Sequence, residues 1–308
     1  MTSAALALGE NGPVRGARRF SHAAMATVFE VHCVHADAGY AGQAAYAAFA
    51  VVDRLELELS RFVANSDVAR INTLAAGQTT PVSPSTMECL EIARRLFDLT
   101  GRVFDVSIGS GLESLDLMPD GFAVRARADG VRLDLGGIGK GYAVDRMAEV
   151  LEEWEIHHAL VHGGFSSVLA LEAPPDREGW PLTLSASGPG NHGVLARVSA
   201  RQMAFSASGA QKGAHILDPR SGRAVQDRAA WAVLPRRVES DAWDGWPDAA
   251  RSPAAFAEGL STAFMILPMD EVAALCRRVP GLEAWLLPEP AEGGSRTAAL
   301  VHMPAAWA

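Results

Sequence analysis

One stretch limits what this chain can fold into more than any other: Leu133-Asp134-Leu135-Gly136-Gly137-Ile138-Gly139-Lys140-Gly141-Tyr142-Ala143-Val144-Asp145. A strand delivers an acid, Asp134, into a turn holding four glycines, and a helix then begins with a lysine in its first turn. Glycines let backbone N–H and C=O groups approach a ligand with no side chain between them. A helix N-terminus carries partial positive charge suited to phosphate, and Lys140 adds a full one. The spacing is neither a Walker loop nor GxGxxG. Two readings stay open on these residues alone: a diphosphate or anion site, or a tight turn beside a solvated lysine.

The rest of the chain supplies a large core around that turn. It has 308 residues, 49% hydrophobic and 20% charged, enough for one large domain or two interlocked lobes. A net charge of −9 with no Lys/Arg-rich run argues against nucleic-acid binding. Cys33, Cys89 and Cys276 are scattered and odd in number, which reads as buried, reduced thiols. No apolar run approaches the length of a membrane span, and Arg18-Arg19 precedes no apolar export region, so neither membrane insertion nor export is expected and the expected location is cytoplasmic.

Periodicity assigns the elements. Residues 1–19 read as a flexible leader, with the folded domain spanning 20–308. Strands are predicted over Phe20–His35, Val103–Ile108, Phe122–Leu135, His158–Leu171 (interrupted at Gly163-Gly164 by a bulge or a close backbone approach), Leu182–Ala186, Val194–Val198, Ala230–Leu234 and Ala284–Leu287. Helices are predicted over Ala41–Leu59, from Ser83-Pro84-Ser85 to Leu99, and over Gly139–Trp154, Phe256–Leu267 and Met269–Arg278. In the second of these, Ser85 is the expected cap and Glu88 the capping-box acid. Residues 236–255, with Trp243, Trp246 and Pro247, read as an irregular insertion or lid. Strands and helices mix without a βαβ beat. The expected class is therefore α+β, with mixed, largely antiparallel sheets and packed helices in two interlocked lobes.

Two further stretches carry chemistry. Ser206-Ala207-Ser208-Gly209 is followed by His215-Ile216-Leu217-Asp218-Pro219-Arg220-Ser221-Gly222, which sets an imidazole near a carboxylate on a sharply bent chain. Histidine changes charge near neutral pH and can move a proton in phosphoryl transfer, although a lone histidine is often structural. In Ala257-Glu258-Gly259-Leu260-Ser261-Thr262-Ala263, Glu258 and Thr262 stand one helical turn apart and share a face. A carboxylate with hydroxyl oxygens is a hard-ligand set suited to Mg²⁺, although capping and solvation more often explain such a pair.

In this order the three stretches resemble the FAD:protein FMN transferase, or ApbE, family. Met25-Ala26-Thr27 stands where that family has Met-Gly-Thr against the flavin. Leu59-Ser60-Arg61-Phe62 with Ser66 and Asn72 is similar to its Leu-Ser-x-Tyr…Ser…Asn segment, Phe62 replacing a tyrosine that contacts FAD. Gly101 to Asp105 resembles its Gly-x-Phe-Asp turn, and the 215–222 stretch its His-Ile-Ile-Asp-Pro-x-Thr-Gly. The resemblance implies Mg-dependent transfer of FMN from FAD to a Thr or Ser hydroxyl of an acceptor flavoprotein, with AMP released. It implies His215 and Asp218 as catalytic residues. Met25, Phe62, Val103, Phe104, Asp105, Asp134, Lys140 and Ile216 would contact FAD, and Gly137, Glu258, Ser261 and Thr262 would hold the metal. The chain departs from the family at Glu258, where an Asp is the metal ligand; Asp241-Ala242-Trp243-Asp244 offers a competing carboxylate pair. A FAD-binding protein without transfer activity and a FAD pyrophosphatase are the competing functions.

Overall fold

In the computed structural model, residues 3–8, 14–188, 191–209, 216–225, 228–236, 251–288 and 300–305 are described. The expected leader is partly ordered. Ser3–Leu8 forms β1, and β2 (Ala17–Ala24) begins three residues before the predicted start. The alternation over Phe20–His35 is a hairpin rather than one strand: β2 pairs antiparallel with β3 (Thr27–Val34) through a two-residue turn at Met25 and Ala26. Both turn residues have positive φ, 48° and 55°, as this tight connection demands and as non-glycine residues seldom adopt.

Helix α1 (Ala38–Leu59) starts where Asp37 accepts from the Gly39 and Tyr40 N–H groups. It buries the apolar stripe that includes Ala48, Val52, Leu55 and Leu59. Short α2 (Asp67–Ile71) and β4 (Thr79–Pro81) lead to α3 (Pro84–Leu99). Ser83, not Ser85, caps α3 by accepting from Thr86 N, and proline at the first turn costs no hydrogen bond. Glu88 therefore serves no capping box. It accepts from the Tyr142 hydroxyl at 2.7 Å and from Arg146 at 3.2 Å.

The predicted strand over Val103–Ile108 does not form. Asp105 captures Ser107 N at 2.8 Å and Gly109 N at 2.7 Å, closing the chain into turns, and Ile108 takes φ 49°. Only part of the Phe122–Leu135 prediction survives. β5 (Leu115–Met118), β6 (Ala123–Ala126) and β4 make a small sheet, and the chain then runs irregularly to Asp134.

Helix α4 (Gly139–Glu153) follows the glycine turn as expected. The His158–Leu171 segment is a hairpin of β7 (Ala159–Gly163) and β8 (Ser167–Ala170), so Gly163-Gly164 opens a turn and not a bulge, while the alternative of a close approach at these glycines holds. Gly164 has φ +60°, and a Cβ there would lie 2.3 Å from Thr27 Oγ1, so only glycine fits between the two hairpins. Beyond lie β9 (Trp180–Gly188), β10 (Asn191–Ala200), β11 (Met203–Gly209) and β12 (Ala229–Pro235). Helices α5 (Pro253–Phe264) and α6 (Met269–Arg278) precede β13 (Glu283–Leu287) and β14 (Val301–Met303). Most of the expected irregular segment 236–255 lies outside the described residues.

Among the described residues eight strands form one sheet in the order β14-β13-β12-β11-β8-β7-β3-β2, and β1-β9-β10 form a second. Every described pairing is antiparallel. Strand alternation splits the large sheet's two faces between two cores. Val31, Val161, Leu169, Ala204 and Ala232 pack with α1, α3, α4 and α5. Leu160, Val168, Phe205, Trp231 and Val233 pack with Trp180, Leu182 and Leu184 of the second sheet. The class is α+β. Cys33, Cys89 and Cys276 are free and buried, and burial pushes the Cys33 thiol up to about 11. Among the described residues no helix is long and apolar enough to cross a membrane.

Candidate active site

Strand register gathers the chemistry-bearing residues at one end of the large sheet. Phe29 and Ser167 both lie opposite Gly163, and Ser206 lies opposite Ser167. The Met25–Ala26 turn, the β7–β8 turn and the end of β11 therefore project from the same edge. Helix α4 starts beside them: a Cβ on Gly163 would stand 3.6 Å from the Lys140 carbonyl.

The glycine turn is fixed from two sides. Asp134 accepts from Gly136 N at 2.9 Å, shaping the single 3-10 turn Leu135–Gly137, and its other oxygen meets Arg61 Nε at 2.9 Å. Asn72 bonds both backbone groups of Leu133, accepting from N at 2.6 Å and donating to O at 2.9 Å. These contacts bring the Ser60–Asn72 segment against the turn. Phe62 is 81% exposed there, with the Arg61 guanidinium 4.3 Å from its ring centre. Met25 is half-buried against the core. Val103 and Phe104 are buried, and a Cβ on Gly137 would touch the Phe104 ring at 3.2 Å. Phe104 thus supports the turn from beneath. Asp105 is committed to its own loop through Ser107 and Gly109.

Opposite the turn stands α5. Glu258 is buried, forms an ion pair with Lys140, and accepts from Gly141 N at 2.6 Å. Lys140 Nζ also lies 3.4 Å from the Gly136 carbonyl. One turn on, Ser261 and Thr262 donate to the Glu258 carbonyl at 2.9 and 3.1 Å, and Ser208 sits 2.8 and 3.3 Å from their hydroxyls. Ser261 is fully buried and also reaches Ser206 at 3.3 Å, so Thr262, half-buried, presents the accessible hydroxyl of the pair. Among the described residues no group of three or more His, Cys, Asp and Glu side chains is placed to hold a metal ion. The donors here are one carboxylate and several hydroxyls, all hard oxygens. That set fits a magnesium ion, which keeps several waters and takes few protein ligands. The ammonium on Glu258 marks where positive charge is accommodated.

Sequence reading missed three contributors. Arg61 and Ser208 lie within quoted motifs but had no role assigned. Asp145 follows Gly141 by four residues, which sets both on one face of α4, but nothing local in the sequence marks that face as a helix crossing. Its buried carboxylate accepts from Ala254 N at 3.0 Å and Ala255 N at 2.9 Å. Burial pushes that carboxyl up to about 7, against the pull of the two N–H donors.

The second proposed catalytic element is placed only in part. His215 lies outside the described residues, as do Asp241 and Asp244. Ile216 is buried and begins a bent loop in which Asp218 accepts from Arg220 Nε at 3.0 Å and Nη2 at 3.1 Å. Arg220 holds the Asp218 carboxyl below the usual carboxylate range. This loop approaches the Asp105–Gly109 turn: a Cβ on Gly109 would lie 3.5 Å from the Pro219 carbonyl.

The chain is 24% identical over 173 residues to the FAD:protein FMN transferase of Salmonella typhimurium, covering 52% of this chain and 44% of that protein. It is 22% identical over 237 residues to the FAD:protein FMN transferase of Klebsiella pneumoniae, covering 62% and 66%. The chain thus spans from under half to about two thirds of these relatives' own length. Its fold is similar to that of the flavin transferase ApbE from Vibrio cholerae, with a TM-score of 0.75 at 18% identity over 94% of this chain and 97% of that one. The ApbE family model matches residues 25–124 and 110–245, which include the Met25 turn, the Phe62 segment and the whole glycine turn with its lysine, and the chain belongs to the ApbE family.

Proposed function

We propose that this chain is a FAD:protein FMN transferase, moving the FMN half of FAD to a Thr or Ser hydroxyl of an acceptor protein with release of AMP. The observation that supports this most is the ion pair of Lys140, at the start of α4, with Glu258 of α5, whose backbone carbonyl in turn accepts from the Thr262 hydroxyl one turn on. A helix start with a lysine suits a diphosphate, and the hard oxygens opposite suit the cation that accompanies one. Two relatives that carry that name support the same reading.

In this reading Glu258, Thr262 and the Gly137 carbonyl would hold Mg²⁺, with Ser261 supporting Thr262 from beneath. The ion would supply charge neutralisation at the diphosphate. The chain's own residues do the rest. Asp134, braced by Arg61, shapes the turn; Lys140 meets phosphate oxygens; Met25 and Phe62 border the flavin. The acceptor hydroxyl oxygen bonds to the phosphorus on the riboflavin side, the bond from that phosphorus to the bridging oxygen breaks, and AMP leaves. His215 takes the hydroxyl proton, a role assigned on sequence alone. Positioning and charge stabilisation dominate such transfers.

The test is incubation with FAD, Mg²⁺ and a Thr- or Ser-containing acceptor peptide, read by intact mass for added FMN and by AMP release. AMP and FMN without an acceptor would mark a pyrophosphatase, and no AMP under any condition a FAD-binding protein. An H215A variant is expected to turn over about 10²–10⁴ times more slowly with FAD binding nearly intact. An unchanged rate removes His215 from the reaction.

A further inference from the structure

We infer that Asp145 is a positioning residue of this site, setting through α5 where Glu258 and Thr262 stand relative to Lys140. The inference rests on the proposed transferase reading and adds a residue to it.

Helix α5 lacks a cap of its own. Ser252 stands at its N-cap position but makes no side-chain cap bond; its hydroxyl accepts from Arg146 at 3.1 Å. Pro253 has no N–H, so the first donors needing partners are those of Ala254 and Ala255. Asp145 supplies them from another helix, one carboxylate oxygen to each N–H. A bidentate contact of this kind fixes rotation and translation of α5 against α4, which a cap within α5 itself would not do. The helices touch backbone to backbone beside it: a Cβ on Gly141 would lie 2.3 Å from the Ala254 carbonyl oxygen. One turn back along α4 and one turn forward along α5, Lys140 and Gly141 N meet Glu258. The three contacts form one ladder, and Asp145 is its far rung. Removing it orphans two buried donors and frees the helices to shift at the end that carries the chemistry. A displacement near 1 Å is enough to cost about 10²-fold in rate.

The test compares D145N, the double variant D145N/S252D and D145E with wild type. Melting temperature, kcat, FAD affinity by flavin fluorescence and magnesium affinity by calorimetry are measured for each. D145N is expected to lower kcat about 10²-fold and to weaken magnesium binding, while FAD affinity stays within about threefold. S252D restores a carboxylate cap inside α5. It should recover the melting temperature of D145N without recovering kcat or magnesium affinity. Recovery of all three together would make Asp145 merely structural and overturn the inference. Should D145N not fold, D145E keeps the charge and both acceptor oxygens but is one methylene longer; wild-type kcat and magnesium affinity in D145E would also overturn it. Wild type that releases no AMP sinks the transferase reading instead, and the magnesium affinities then still decide the role of Asp145.

Discussion

Around Lys140 the site is held by contacts between residues far apart in sequence, whereas around Asp218 it is held by neighbours. Lys140 and Glu258 are 118 positions apart, Gly141 and Glu258 117, Asp145 and Ala254 109. Asp218 bonds Arg220 two positions on, and its backbone groups bond Arg223 at 2.8 Å and Gly222 at 2.7 Å. The first arrangement exists only when α4 and α5 have docked, so the charge centre and the fold stand or fall together. The second is a bend closed by bonds among its own neighbours. Chemistry that needs fixed charges belongs on the first.

The strongest way to break this comparison is E258Q. The variant keeps the volume of the side chain but removes the charge that holds Lys140 and the only carboxylate among the α5 donors. Loss of a positioned charge at such a centre is expected to lower kcat about 10²–10³-fold, measured as FMN transfer with FAD saturating. Activity within threefold of wild type would show that the Lys140 side is not the chemical centre.

Next is G141A, which tests whether the helix crossing is as tight as the long-range contacts imply. Alanine favours a helix over glycine by about 0.8–1 kcal/mol. Against that, its Cβ would lie 2.3 Å from the Ala254 oxygen and 2.8 Å from Ala255 N, both backbone atoms that cannot rotate away. Overpacking of this kind typically costs about 1–3 kcal/mol, so the clash outweighs the propensity. Net destabilisation in urea unfolding is expected, and a more stable G141A would show that the crossing is loose.

How much of this was legible beforehand follows from the same division. The glycine turn and the helix after it are legible because their signal is local and continuous, and the helix predicted over Met269–Arg278 matches the observed one at both ends. Val103–Ile108 misled because its apolar residues fit a strand, while the deciding interaction is an Asp105 side chain folding the backbone back on itself. Ser83 rather than Ser85 caps α3 because proline prefers the first helical position, a rule the sequence already contained. The motifs placed Glu258 and Lys140 in one site, but no spacing in a single sequence says that they form an ion pair or that Asp145 caps a helix more than a hundred residues away.

The smallest effect is expected on the local side, from D218N. If Asp218 oriented His215, its loss would lower turnover by orders of magnitude. With the carboxylate gripped by Arg220, turnover should change by less than about threefold. The pair is exposed on the Arg220 side, which has a side-chain accessibility of 48%, so its stability contribution should stay under about 1 kcal/mol. Its pH dependence has a definite sign. Arg220 holds the folded-state carboxyl below its ordinary value of 3.8, so the contribution is present above that value and is lost as pH falls through the lower folded one. Wild type should therefore melt slightly above D218N at pH 7, and the gap should close on acidification below about pH 4. A gap that widens in acid would contradict the Arg220 pairing, and a hundredfold loss of turnover would return Asp218 to the chemistry.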